Sequence, residues 1–253
     1  MFKKIQKTVD AFLTFWDSSF THGNNKQKTM RTKTLILAAA LTAAGLASSL
    51  AQSNVYSLNV VGYVNKTLGG NLKYTGVANP LNTTNNTLAG LFGGAGVGLP
   101  TGSQVLKWNT GIANYDIFSK LAFGSGWSGA GATTTLNPGE GCLIRMASGS
   151  ADLTNTFVGE VLQGNLTNVL VVGYQLIGNI VPDSGPANTL NLVPVTGSQL
   201  LKWNAGIQNW DLFNKVGFGS GWSPSVPSIE IAEGFILRGG AGVTNWVRNF
   251  TVQ

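Results

Sequence analysis

Six side chains in this chain of 253 residues have the types and surroundings that recognise a ligand: Trp127 and Trp222, Tyr115 and Trp210, Asp116 and Asp211. An aromatic face beside Asn and Asp stacks on sugar rings while the amides and carboxylates hydrogen-bond the hydroxyls. The six form three pairs, and the members of each pair stand 95 positions apart. The competing reading is that the rings fill a core. Burying a ring of about 150–250 Å² at about 25 cal/mol per Å² stabilises a domain by roughly 4–6 kcal/mol at most. Trp108 and Trp203, within strand-like runs, point to the core; Trp127 and Trp222, in Gly-Ser loops, are open to either role.

Catalytic constellations are sparse. Asp116 and Glu140 are a carboxylate pair of the kind used in glycoside hydrolysis, yet both copies carry the pair within a small unit that leaves little material for a cleft. The only histidine is His22, and none follows it, which excludes Ser-His and Cys-His catalysis and most zinc sites from the remainder. GGAGVG at 93–98 has the glycines of a phosphate loop without a surrounding βαβ pattern. Cys142 lies in an apolar run, as a space-filler would. No cofactor, metal or catalytic residue is expected.

The elements that must position these residues are written twice. Residues 101–128 and 196–223 share 20 of 28 positions without a gap, and the match extends outward: LNPGEGCLIR at 136–145 answers EIAEGFILR at 230–238. KWNTGIANYDIFSK reads as two alternating strands around a loop of about six residues, NTGIAN. Further strands are expected at VYSLNVVGYVN, LKYTGVANP, GCLIRMA and TNTFVGEV. Helical signals are confined to a turn or two at NTLAGLF and NTLNLV, with Asn86 or Thr87 and Asn188 or Thr189 as caps. The fold class is all-β, with two tandem copies of a sandwich or partly open barrel of about 95 residues. TFVGEV at 156–161 matches both an opening and a closing strand, so one segment is expected to close the first copy and open the second.

Charge and address follow from the first 51 residues. Arg31 and Lys33, an apolar run from Leu35 to Leu46 and the small-x-small site Ser49-Leu50-Ala51 form a secretory signal peptide with cleavage before Gln52. Residues 1–29 read as an upstream extension, 52–155 as the first β-copy and 156–253 as the second. The net charge of +6 belongs mostly to the leader, and the remainder holds nine basic and eight acidic residues. That balance removes the electrostatic case for nucleic-acid binding. No membrane-spanning helix is expected after the leader, and a single cysteine in an exported chain means no intramolecular disulfide.

The ordered set NVYSLNVVGYVN, GVANP, the KWN hairpin, the following GW, PGEG with its apolar strand, and TFVGEV resembles a group of exported, internally duplicated all-β proteins common in Verrucomicrobia and related bacteria. The resemblance covers nearly all of the chain after the leader. It implies a secreted all-β protein and supplies no catalytic residues. Cys142 departs from the aromatic residue expected after PGEG, and SKLAFGSGW is Gly-rich where an acidic stretch is usual.

The leading expectation is a non-enzymatic structural or interaction protein of the envelope or the extracellular space, with polysaccharide, envelope proteins or its own copies as partners. A carbohydrate-binding module using Trp127 and Trp222 is the first alternative, and it requires those rings to be exposed. An outer-membrane β-barrel is the further alternative, although the strands look short and NFTVQ lacks a terminal aromatic.

Overall fold

Period-two alternation of apolar and polar residues turns each repeat into short antiparallel strands. The computed structural model describes residues 59–93 and 98–252; the expected leader, its cleavage site and most of GGAGVG lie outside the described residues. In the first copy the elements are β1 (Val61–Leu68), β2 (Tyr74–Ala78), α1 (Leu88–Phe92), β3 (Gln104–Asn109), β4 (Asn114–Ser119), β5 (Gly141–Arg145) and β6 (Leu153–Glu160). The second copy begins with β7 (Gly164–Asn168), β8 (Gly173–Ile177), β9 (Gly185–Pro186) and β10 (Gln199–Asn204). It continues with β11 (Asn209–Lys215), β12 (Trp222–Ser223), β13 (Ser228–Ile229), β14 (Phe235–Gly239) and β15 (Trp246–Phe250).

Each copy has two layers. A main sheet, ordered β2-β5-β3-β4 in the first copy and β12-β11-β10-β14-β8 in the second, faces a two-stranded ribbon, β1-β6 or β7-β15. In the first copy Val77, Val105 and Ile144 from the sheet meet Val64, Leu68 and Phe157 from the ribbon. Phe235 and Leu237 meet Trp246 in the second. The architecture is all-β, with one short helix among the described residues.

Local departures from expectation have local causes. The KWN hairpin turns through four residues, because Asn109 and Asn114 pair directly and Asn109 Oδ1 accepts from the Gly111 amide at 3.0 Å. Helix α1 is capped by Thr87, whose hydroxyl accepts from the Gly90 amide. Its counterpart at 187–191 stays a run of turns, and Asn188 spends its side chain on Trp222 Nε1 and the Ser220 carbonyl. TFVGEV does not serve both copies. β6 pairs with β1 along its length and closes the first copy; β7, three residues later, pairs with β15 and opens the second.

The two sheets then pack on each other. On one face of each sheet lie the residues of that copy's own core. On the other, Leu106 and Leu143 of the first copy bury themselves against Leu176 and Ile236 of the second, with Trp108, Tyr115, Trp203 and Trp210 around them. Corresponding backbone bonds cross between the copies: the Ala78 amide donates to the Ala232 carbonyl and the Gly178 amide to the Gly139 carbonyl, each at 3.0 Å. All the described residues therefore belong to one compact unit. The strands are two to eight residues long and the sheets are open, so the described residues form no closed barrel with the strands of about 9–11 residues that span a bilayer. No helix among the described residues is long and apolar enough to cross a membrane.

Candidate functional site

The loop tryptophans come first, since the sugar-binding alternative rests on them. Trp127 and Trp222 are each only 3 % exposed and belong to the two copy cores. They offer no stacking platform, and of the two roles left open for these loop rings they take the core one. The cause is the tight turn before each ring. Leu121 N–H donates to the Gly126 carbonyl and Gly126 N–H to that of Phe123, which folds the loop back and drives Trp127 inward; Val216, Gly221 and Phe218 repeat the pattern. Lys120 and Lys215 cover the outer faces, their ammonium groups 5.0 and 5.3 Å from the ring centroids. Lys120 thus serves the tryptophan.

Tyr115 and Trp210 stand opposite Trp108 and Trp203 on their hairpins and pack edge-to-face on them, with centroids 5.0 and 5.1 Å apart. Both pairs border the inter-copy layer, and burial pushes the Tyr115 phenol above its usual range. Asp116 and Asp211 brace the hairpin loops, accepting from Asn109 Nδ2 at 2.9 Å and Asn204 Nδ2 at 3.0 Å. Glu140 is held by Lys107 Nζ at 3.0 Å and the Asn137 amide at 2.7 Å. Each of these carboxylates thus accepts at least one local bond.

Two other features come forward. The turns that bury Trp127 and Trp222 push Phe123 and Phe218 outward, 73 % and 76 % exposed at equivalent places in the two copies. Ile112 and Ile207 on the hairpin tips are likewise exposed in both. The repeat itself carried this signal, because each Phe is identical in both copies and lies beyond the end of the preceding strand in a Gly-rich loop, where no alternation points inward.

The second feature is a cleft of about 570 Å³ where β1 and β2 of the first copy face the second copy's KWN hairpin. Trp203, Asn204 and Asp211 form one wall. Lys66, Lys73 and Asp152 also line it, together with Lys202, Glu230 and Glu233. Lys202 bonds Glu233 at 3.1 Å, and Lys66 reaches Glu230 at 3.4 Å. Burial pushes the Glu233 carboxyl above its ordinary range, against the opposing pull of the Glu230 amide and Lys202. Of the six expected site residues, only Asp211 borders this space. Among the described residues no group of three or more His, Cys, Asp or Glu side chains converges to hold a metal.

No protein-family model, no curated protein and no solved structure matches this chain.

Proposed function

We propose that this is an exported, non-enzymatic interaction protein that attaches through paired apolar loop tips to envelope components or to further copies of itself. The observation that carries the reading is the matched exposure of Phe123 and Phe218. Scattered exposed apolar residues are normal on any protein surface. The same large ring held out at the same place in both copies, on a loop fastened by backbone hydrogen bonds and an anchored tryptophan, is a contact device. Burial of one such ring is worth roughly 1.5–3 kcal/mol, and two on one rigid unit raise avidity without strong individual contacts. The absence of catalysis is supported by the engagement of Asp116, Asp211 and Glu140 in hairpin and turn bonds.

The test compares the protein with its Phe123→Ser/Phe218→Ser double variant by sedimentation equilibrium and by co-sedimentation with isolated bacterial envelopes. Self-association or envelope retention that the double variant loses is expected. A wild type that stays monomeric and remains in the supernatant, or a variant that behaves like it, contradicts the reading.

A further inference from the structure

The charges of the two copies correspond closely, and most of the exceptions gather in one place. After residue 52, ten charged residues fall in matched pairs and seven have no charged counterpart in the other copy. Four of the seven, Lys66, Lys73, Asp152 and Glu230, line the cleft between β1-β2 and the second hairpin. The strand correspondence puts Leu166, Gly173, Asn245 and Asn137 at their positions in the other copy. Two more of the seven, Asp183 and Arg248, form an ion pair with each other and need no further role. A duplicated fold offers two such junctions; both carry the matched lysine and carboxylates of the hairpin, and this one carries four further charges of both signs.

The lining defines what can enter. Trp203 is fixed as a wall because its indole N–H donates to the Tyr74 carbonyl at 2.8 Å and its ring meets Tyr74 edge-on. Gln208, in the hairpin loop beyond it, accepts from the Tyr74 amide at 2.8 Å and holds the hairpin against β2. Asp152 and Asp211 are bonded by neutral donors, the Gly70 amide and Asn204. Two of the three lysines already face carboxylates. With three ammonium groups against four carboxylates, the lining gives no net attraction to phosphates or other anions. It does combine a rigid indole edge, hydroxyls of Thr67 and Thr75, and fixed donors and acceptors. Its size falls within the range of small-ligand sites, about 300–1,000 Å³.

We infer that this inter-copy cleft binds a neutral oligosaccharide, with Trp203 as the apolar wall and Asp211, Lys73 and Asp152 as hydrogen-bonding partners of the sugar hydroxyls. The site is separate from the Phe123 and Phe218 tips, and its four unmatched charges belong to one junction, whereas the tips are present twice. It places sugar recognition at the asymmetric junction of the copies and away from their repeated loops.

The repeat supplies the control. Asp116 makes the same bond to Asn109 as Asp211 makes to Asn204, but does not line the cleft. Isothermal titration calorimetry of the purified protein with soluble β-1,4-glucan, β-1,3-glucan, α-1,4-glucan and β-1,4-mannan oligomers, and with heparin as a polyanion, reads the result directly. Saturable heat from at least one neutral oligomer is expected. Its affinity should fall by about tenfold or more in Asp211→Ala and in the exposed-site variant Lys73→Ala, the scale of one lost charge-assisted hydrogen bond. Asp116→Ala and the Phe123→Ser/Phe218→Ser variant should retain it. No heat from any neutral oligomer, heat from heparin alone, or binding undiminished by both cleft substitutions overturns the assignment. Binding abolished only by the phenylalanine substitutions overturns it while leaving the loop-tip reading in place.

Discussion

Trp203 of the second copy meets the ring of Tyr74 in the first at 5.6 Å, edge to face, and donates its indole N–H to the Tyr74 carbonyl. The reciprocal pair, Trp108 and Tyr174, sits at 6.1 Å without a corresponding hydrogen bond, and Trp108 Nε1 has no partner among the described residues. The repeated KWN tryptophans are therefore the joint between the copies, and the joint is hydrogen-bonded on one side only.

That asymmetry predicts unequal consequences for equal substitutions. Trp203→Phe removes a hydrogen bond and strands the Tyr74 carbonyl; Trp108→Phe removes ring volume together with a buried N–H that has no partner. The first should cost about 0.5–1.5 kcal/mol more than the second, measured as the difference in urea-unfolding free energy.

Close backbone approach across the joint predicts a severe glycine effect. A Cβ on Gly178 would stand 2.2 Å from the Ala78 Cβ and 2.6 Å from the Glu233 carbonyl. Gly178→Ala should destabilise by about 2 kcal/mol or more, since the two copies must separate to admit the methyl group. At Gly217 the nearest atom is 3.7 Å away, and Gly217→Ala should stay within about 0.5 kcal/mol. Thermal denaturation of both variants distinguishes them.

The thiol of Cys142 is wholly buried, and desolvation, reinforced by Glu140 and opposed by Lys107, pushes it up to about 12. At pH 8 the native protein should react with a disulfide reagent only at its unfolding rate, and stoichiometrically in denaturant. Prompt reaction of the native thiol would contradict its placement in the core.

Glu233 predicts a pH dependence of definite sign. Burial raises its carboxyl above the ordinary 4.5 in the folded state. The folded protein therefore binds more protons than the unfolded chain between 4.5 and the raised value. The contribution of this group to stability is full below that window and declines as pH rises through it. Glu233→Gln should flatten that decline in urea-unfolding free energies measured from pH 4 to pH 8.

Much of the fold was legible because alternation and duplication are local signals. The KWN hairpin, the PGEG strand and the all-β class follow from residues within one copy. What was not legible is the relation between copies. The periodicity of VLKWN assigns Leu106 and Trp108 to one face but does not say what that face meets, and a second copy fills it. Trp127 was open to either role because it sits in a Gly-Ser loop; its burial depends on two backbone hydrogen bonds that composition does not encode. Asp211 was identifiable by its repetition, yet residues that line the cleft with it, Lys66 and Lys73, were invisible to a search for repeated charges because they occur once.

The identity of the two copies as one folding unit is tested most directly by urea unfolding of the purified protein, followed in parallel by tryptophan fluorescence and far-ultraviolet circular dichroism. A shared core of Leu106, Leu143, Leu176 and Ile236, framed by the Trp203–Tyr74 contact, predicts a single transition with coincident midpoints. Two separated transitions, or fluorescence and dichroism curves that do not superimpose, would show that the copies fold independently and that the joint between them contributes little.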